Sequence, residues 1–332
     1  MRNILCVTLI ALLGGCTSTS VTEKYQDKRN DIINVKDKVI EFETGNVLIG
    51  SVSRLYMSNK CLLIADHKSV DKQIHIFNKN DFSYLTSIGN FGEGPEEITV
   101  MGCLAIDEAH HQLYVSDHAK QKIFSYDMDS VMVDSLYKPQ VKTAMNETLF
   151  PSEYQYINDT LSIAVLIKPT STSTFNQFLG RWNMNTGEMI PMKYTHPDIQ
   201  KKRITFAASE KAGIYVECYT RHDLMTICSL DGELLYNIYG PDWDGGNGNK
   251  LQSFGTVMIG NDKIFVSYCG EDYARDSFPT KILVFDLEGN YFKTLETGYK
   301  ISDCCYDSFN NRIILSLNDV VQFAYLDIDG II

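Results

Sequence analysis

The stretch Leu113-Tyr114-Val115-Ser116-Asp117 has close counterparts along the whole chain. It is short, rich in β-branched and aromatic residues and followed by polar turn residues, which is typical of a β-strand. Similar runs begin at residues 62, 113, 161, 214, 264 and 313, so their first residues are spaced 51, 48, 53, 50 and 49 apart. A regular period near 50 residues indicates a repeat architecture rather than two unrelated domains.

Each repeat also contains the signals of further strands. A second strand follows the first, and then a tight polar turn such as Leu230-Asp231-Gly232 or Asp327-Ile328-Asp329-Gly330 precedes an outer strand. Asp accepts local backbone hydrogen bonds and Gly supplies positive φ, so these segments predict hairpin turns. We therefore predict an all-β fold, a six-bladed β-propeller with four antiparallel strands per blade.

The sixth repeat is incomplete at its C-terminal end. The chain stops at Ile332, just after the turn of this repeat, and no outer strand follows. The stretch Val35 to Phe42 reads as a strand that belongs to no repeat. Pairing it with the last blade would remove two open sheet edges at once. We predict that this N-terminal strand closes the ring.

The first sixteen residues have the features of an export signal. A positive start at Arg2 precedes an apolar run from Ile4 to Leu13, and Gly14-Gly15-Cys16 follows. The sequence Leu13 to Cys16 resembles the bacterial lipobox, in which the Cys is acylated and becomes the mature N-terminus. We predict a signal peptide at residues 1–15, a lipidated flexible tether at residues 16–32 and the propeller at residues 33–332.

Composition restricts the classes of partner. The 332 residues include 30 Lys and Arg and 42 Asp and Glu, so the formal net charge is −12. Nucleic-acid binding is not expected, because a protein needs excess positive charge to replace phosphate counterions. After residue 15, no apolar run reaches the roughly 18 residues that a membrane-spanning helix requires. The expected membrane contact is therefore the lipid anchor on Cys16.

The cysteines do not form a disulfide pattern. Cys6 would leave with the signal peptide and Cys16 would be acylated, which leaves seven, mostly in apolar strand-like stretches. An odd number without CxxC spacing predicts buried thiols rather than a disulfide framework or a structural zinc site.

The segment Ile88-Gly89-Asn90-Phe91-Gly92-Glu93-Gly94-Pro95-Glu96-Glu97-Ile98 carries a family resemblance. It resembles the Gly-Pro blade junction of the six-bladed, NHL- and TolB-like propeller lipoproteins of Bacteroidetes. The resemblance implies an envelope location and a propeller without a common activity. Thr17, rather than Asp, follows the acylated Cys, so by resemblance the protein passes to the outer membrane. No acidic cluster follows Cys16, which favours the periplasmic side, with the cell surface as the alternative.

Candidate site residues come from the loops on one face of the predicted ring. Asp66-His67 and Asp117-His118 occupy equivalent positions, and His222 follows in a third blade. Three histidines could bind a divalent metal or act as acid and base, whereas Asp at a strand end could equally cap loop amides. Candidate ligand contacts are the aromatic and basic side chains of nearby loops: Trp243, Arg221, Tyr273 and Arg275. No cofactor is predicted, and a divalent metal stays open.

Two function classes follow. The first is an envelope lipoprotein whose propeller binds a glycan, a peptide or a partner protein, and the absence of a catalytic motif favours it over an enzyme. The alternative is a metal-dependent glycan lyase or hydrolase that uses His67, His118 and His222 at the mouth of the channel. A metal ion held by three protein side chains at the mouth of the channel would favour the enzyme over the binding protein.

Overall fold

The structure, a computed structural model, describes residues 22–134, 136–200, 202–247, 250–275 and 277–332. These residues form six sheets arranged as the six blades of a propeller. The predicted fold class is confirmed, with four antiparallel strands in each blade. The signal peptide and Cys16 lie outside the described residues.

Three short strands precede the first blade. They are β1 (Glu23–Tyr25), β2 (Ile32–Asn34) and β3 (Val39–Glu41), with a 3-10 turn at Lys36–Lys38. Strand β3 pairs antiparallel with the last strand of the last blade, with Ile40 opposite Tyr325. The predicted ring closure by an N-terminal strand is therefore confirmed.

Blades one to three follow in chain order, each from its innermost to its outermost strand. Blade one comprises β4 (Ser53–Met57), β5 (Cys61–Asp66), β6 (Lys72–Asn78) and β7 (Tyr84–Asn90). Blade two comprises β8 (Met101–Asp107), β9 (Gln112–Asp117), β10 (Lys122–Asp127) and β11 (Gln140–Ala144), with helix α1 (Met128–Val133) before β11. Blade three comprises β12 (Phe150–Asn158), β13 (Leu161–Pro169), β14 (Phe175–Trp182) and β15 (Met189–Pro191).

Blades four to six complete the ring. Blade four comprises β16 (Ile204–Ser209), β17 (Ile214–Tyr219), β18 (Leu224–Ser229) and β19 (Leu234–Tyr239). Blade five comprises β20 (Leu251–Gly260), β21 (Lys263–Asp272), β22 (Lys281–Asp286) and β23 (Tyr291–Glu296), with a 3-10 turn at Tyr273–Arg275. Blade six comprises β24 (Ile301–Asp307), β25 (Arg312–Leu317), β26 (Phe323–Asp327) and the N-terminal β3.

The hydrophobic core is divided among the blade interfaces. In the described part of the chain, each of the six interfaces between neighbouring blades holds one cluster of buried apolar side chains. The cluster between blades two and three, for example, contains Trp182, which is 1% exposed and packs edge-on against Tyr154. All seven described cysteines are free and buried, as predicted. This arrangement explains why the inner strands of the blades read as nearly continuous apolar runs.

The residues predicted to form a flexible tether are instead docked on the propeller from Thr22 onward. Strand β1 pairs in parallel with β19 of blade four, and β2 pairs in parallel with β23 of blade five. The tether prediction is wrong for residues 22–32, because polar residues were taken to lack a packing partner. Here they add to open sheet edges, where backbone hydrogen bonds need no apolar side chains. We call residues 22–34 the strap.

The segment that carries the family resemblance is a structural connector between blades one and two. Lys120 Nζ donates hydrogen bonds to the carbonyl oxygens of Gly92 at 3.2 Å and Gly94 at 2.7 Å, and to that of Glu97. The carboxylate of Glu97 in turn accepts from the Gly94 N–H at 2.8 Å. Gly92 has φ 158, and a Cβ there would lie 2.0 Å from Glu97 Oε2. The motif therefore specifies the turn between two blades.

Candidate functional site

A cavity of about 400 Å³ lies where the innermost strands of the six blades meet. Each blade contributes one stretch to its wall: residues 54–57, 103–106, 153–157, 205–208, 256–259 and 303–306. Central channels of this kind are the usual ligand sites of propellers, and the volume lies within the range of small-molecule sites. We call this cavity the channel.

An ion pair crosses the channel from blade one to blade three. Arg54 Nη2 donates to Glu153 Oε1 at 2.7 Å, and the two side chains are 40% and 37% exposed. Asp303 of blade six accepts from the Leu55 N–H at 2.8 Å and from the Thr256 hydroxyl at 2.7 Å. Arg54, Glu153, Asp303 and Thr256, which come from four different blades, form what we call the polar cluster.

The charges of this cluster follow from its surroundings. Burial opposes the charge on Arg54, but Glu153, Tyr56 and Asp303 together outweigh it, and the pKa of Arg54 is raised. Burial raises the pKa of Asp303, although Arg54 acts in the opposite direction. The guanidinium is therefore a permanent cation beside two carboxyl groups. Within the described residues its side-chain hydrogen bond goes to Glu153, which leaves other N–H groups to face the channel.

Irregular pairing of the innermost strands sets the orientation of Glu153 and Asp303 in the polar cluster. The register of the sheet shifts between Pro151 and Glu153 in blade three, and between Ile301 and Asp303 in blade six. A bulge of this type turns a side chain away from the regular alternation and is common beside binding sites. Each shift stands immediately before a carboxylate of the polar cluster. The bulges thus bring Glu153 and Asp303 to the channel.

His67 lies near Arg54 of the polar cluster, whereas His118 contacts other partners. The His67 Nδ1 lies 3.3 Å from the Met101 carbonyl oxygen. Burial is the main cause that lowers the pKa of His67, and the positive charge of Arg54 lowers it further. The His118 ring packs edge-on against Phe150, and burial lowers its pKa too. A Cβ at Gly102 would lie 2.2 Å from His118 Nε2, so this ring packs directly on the backbone of β8. Both rings are neutral packing elements near the channel.

The third predicted histidine belongs to an aromatic group in blade four. His222 lies 5.9 Å from the ring of Trp243, which also contacts His196 and Tyr239 at 5.7 and 5.0 Å. Burial lowers the pKa of His222. Trp243 is half-buried, so the indole packs under its own loop with these partners.

The other predicted ligand contacts pair with each other or with neighbours. Arg221 lies over the ring of Tyr273, with 3.9 Å from its guanidinium carbon to the ring centroid. Arg275 Nη1 donates to Glu271 at 3.1 Å on the surface. Neither pair lines the channel. The predicted loop residues are therefore not among those that line the channel.

The structure does not gather His67, His118 and His222 around one ion. In the described ranges, the one group of three His, Cys, Asp or Glu side chains within reach of a single ion is Asp107, His110 and Asp159. The Asp residues of the Asp-His steps cap loops instead. Asp66 accepts from the N–H groups of Gly50 and Lys68, and Asp117 accepts from four loop N–H groups.

The group of Asp107, His110 and Asp159 has a structural counterpart. His110 Nδ1 contacts Asp107 Oδ2 at 2.8 Å and lies 3.9 Å from Asp159 Oδ1 of the next blade. At the equivalent turn of blade six, Asn310 Nδ2 donates to Asp307 at 2.7 Å and to Asn80 of the next blade at 3.1 Å. Both side chains therefore tie neighbouring blades together.

The polar cluster was missed by sequence reasoning, although a signal exists. Arg54, Glu153 and Thr256 each stand eight residues before a repeated strand run, which begins at 62, 161 and 264 respectively. Aligning the repeats on these runs would have placed the three at one level of the innermost strands of blades one, three and five. Asp303 stands ten residues before its run, because the turn between β24 and β25 (residues 308–311) is two residues longer than the corresponding turn of blade five (residues 261–262), so this alignment does not reveal it.

Comparisons with known proteins agree with this architecture. Residues 17–176 match the model of the DUF5128 family, described as a 6-bladed beta-propeller. No curated protein sequence matches the chain.

Solved structures are similar over nearly the whole chain. A protein from Bacteroides fragilis, assigned as an exported protein, is 13% identical with a TM-score of 0.58, over 89% of this chain and 87% of that one. A DUF4221 family member from Bacteroides vulgatus is 10% identical with a TM-score of 0.60, over 90% and 98%. The beta-propeller domain of Cps50 (Swd1) from Myceliophthora thermophila is 9% identical with a TM-score of 0.54, over 86% and 98%.

These likenesses bear on the fold, because identities this low do not carry function. The narrower resemblance to NHL- and TolB-like lipoproteins stays a prediction. In the part of the chain that the structure describes, no helix has the length and apolarity to cross a membrane. Sheet topology, family match and structural likeness agree that the chain is a six-bladed β-propeller.

Proposed function

We propose that the protein is a lipid-anchored envelope protein that binds a saccharide in the channel. The observation that carries the binding role is the polar cluster, in which Arg54 and Glu153 meet across a cavity of about 400 Å³. Tyr56 and Tyr156 line the same cavity. Aromatic walls with a few converging polar groups are typical of small-molecule sites.

The charges of the cluster favour a neutral ligand. Glu153 already neutralises Arg54, so an anionic ligand would be repelled by Glu153 as much as it is attracted by the guanidinium. Two unit charges 4 Å apart interact by about 4 kcal/mol at an effective dielectric of 20. A sugar avoids this repulsion, because its hydroxyl groups accept from Arg54 and donate to Glu153. A saccharide is therefore preferred over a peptide carboxylate or a phosphate.

The anchor is supported by sequence alone, since Cys16 lies outside the described residues. An acylated Cys16 would hold the protein on the outer membrane, with the periplasmic side favoured and the cell surface as the alternative. The likeness to an exported protein of Bacteroides fragilis is compatible with this location. Changing Cys16→Ser should move the protein from the membrane fraction to the soluble fraction. Retention on membranes in detergent-free buffer would contradict the anchor.

The binding role is tested by calorimetry with a panel of neutral and acidic saccharides. Arg54→Met should weaken binding of the best saccharide by tenfold or more, which corresponds to about 1.4 kcal/mol. Arg181→Met is the matched control, because Arg181 is also 40% exposed and pairs with Asp231 at 2.9 Å outside the channel. Equal affinities for both variants, or no saccharide bound more tightly than about 1 mM, would contradict the proposal.

A further inference from the structure

We propose that the strap holds the outer edge of blade four towards the membrane, so that blade one, on the opposite side of the ring, points away from it. This inference rests on the proposed acylation of Cys16. It concerns the surface that meets lipid and is independent of the ligand in the channel. It follows from where the strap begins, how firmly it is docked and how few residues precede it.

The strap begins at the outer edge of blade four. The Asn237 N–H donates to the Thr22 carbonyl oxygen at 2.7 Å, and the Gln26 N–H donates to that of Tyr239 at 2.9 Å. Strand β1 runs parallel to β19, with Glu23 opposite Asn237. Thr22 is therefore level with Tyr236 in the middle of β19, three residues from Glu233 in the turn before this strand.

Side chains fasten the strap on both sides of this edge. Glu23 accepts hydrogen bonds from the Tyr239 hydroxyl and from Asn237 Nδ2. Lys24 Nζ donates to the Glu288 carbonyl oxygen at 2.7 Å in the turn of blade five. Arg29 inserts between blades four and five and pairs with the buried Asp223 at 2.8 Å. Because these contacts include a buried ion pair, the strap stays docked in the folded protein.

The link between anchor and strap is short compared with the ring. Six residue steps separate Cys16 from Thr22, which span at most about 21 Å at roughly 3.5 Å per residue. Four strands spaced about 4.8 Å apart give each blade a depth of about 14 Å, so opposite rims are separated by more than about 29 Å. An acyl group on Cys16 can thus lie near blade four but not at the rim of blade one.

The net charge of the protein does not favour binding of another part of its surface to the membrane. The formal net charge is −12, and losing Arg2 with the signal peptide makes it −13. A protein this acidic is repelled by anionic headgroups, whose attraction needs clustered Lys and Arg. The short link at blade four therefore sets the average orientation.

The experiment compares two positions at the same turn in opposite blades. Glu233 and Ser83 are both exposed and accept equivalent backbone hydrogen bonds, from the N–H groups of Ser229 and Asn78. Glu233→Cys and Ser83→Cys are labelled with a fluorophore in the full acylated chain, which the seven buried native thiols permit. Energy transfer to a rhodamine-headgroup lipid is measured in phosphatidylethanolamine and phosphatidylglycerol vesicles. We expect transfer at 233 to be at least twice that at 83.

Two controls separate the possible failures. A long Gly-Ser linker inserted after Val21 leaves the strap intact and lengthens the link to Cys16. The difference in energy transfer between positions 233 and 83 should then become smaller. Equal transfer at both positions without the insertion, a reversed order, or a difference that survives the insertion would overturn the orientation. The mass of the purified N-terminus reports acylation separately. An unacylated Cys16 would overturn the anchor and the orientation together. Equal energy transfer from positions 233 and 83 in an acylated chain would overturn the orientation alone.

Discussion

Arg29 and Asp223 form an ion pair that joins the strap to blade four across 194 positions of sequence. Arg29 Nη1 donates to Asp223 Oδ1 at 2.8 Å, and the side chains are 7% and 0% exposed. Burial raises the pKa of Asp223, and Arg29 acts against this rise. The guanidinium also lies over the rings of Phe254 and Tyr268. A residue taken from its sequence context for part of a tether is therefore a buried structural cation.

Removing this cation should destabilise the propeller strongly. Arg29→Ala leaves Asp223 buried without its partner, which typically costs about 3–5 kcal/mol. The measurement is the free energy of unfolding in urea at neutral pH. Lys28→Ala is the control, because Lys28 is exposed and such changes usually stay within about 0.5 kcal/mol. A loss below about 1 kcal/mol for Arg29→Ala would show that the strap is not held by this pair.

The contribution of ring closure can be separated from that of the strap by two truncations. A chain that begins at Val35 lacks the strap but keeps β3, whereas a chain that begins at Thr44 also loses Val35, β3 and Phe42. Val35 and Phe42 are both buried, and each contributes about 1.5–3 kcal/mol by burial. We expect the shorter chain to melt well below the longer one and to lose hydrogen-exchange protection in β26. Equal melting temperatures would contradict closure by β3.

Protonation of His110 should stabilise the contact between blades two and three. The hydrogen bond to Asp107, with the charges of Asp107 and Asp159, raises the pKa of His110. The pKa of His110 is therefore higher in the folded than in the unfolded protein. The stabilisation is fully present below the unfolded pKa of about 6.5 and is lost as the pH rises through the folded pKa. His110→Asn copies the donor that Asn310 provides in blade six. We expect the advantage of wild type over this variant, measured as melting temperature, to decline with rising pH. A difference independent of pH would contradict the prediction.

The cysteines should be unreactive until the protein unfolds. All seven described thiols are buried, and burial raises the pKa of the Cys103 thiol to about 12 and that of Cys228 to about 11. Thiolate is the reactive form of cysteine. Burial therefore slows the reaction twice, because it keeps the reagent away and keeps the thiol protonated. Ellman's reagent should label no thiol in the native protein purified without residues 1–16, and seven in urea. Rapid labelling of even one thiol under native conditions would reveal local opening of a blade.

Local sequence signals were sufficient for much of the fold. The strand run at Leu113, its five counterparts and the Asp-Gly turns carry alternation and turn chemistry within a few residues, so they predict blades without any knowledge of distant contacts. The prediction that Val35 to Phe42 would close the ring needed only the missing outer strand of the sixth repeat. The same reasoning failed for residues 22–32, whose polar composition conceals a backbone pairing with blades four and five.

The site depended on distances that sequence does not contain. His67 and His222 attracted attention because of their residue type, yet they pack in different parts of the ring. Arg54 and Glu153 stand 99 positions apart, and Leu55 and Asp303 stand 248 apart.

Sequence alone predicted the six repeats and the closing strand, which the structure confirms, and the export signal, which stays a prediction; each depends on neighbouring residues or on a regular period. Tertiary structure was needed for the polar cluster, the Arg29–Asp223 pair and the docking of the strap. In each of these, groups from different blades, or from the strap and a blade, satisfy one another's charges or hydrogen bonds. Those partners meet only in the folded protein, because none of the arrangements is complete within a single repeat.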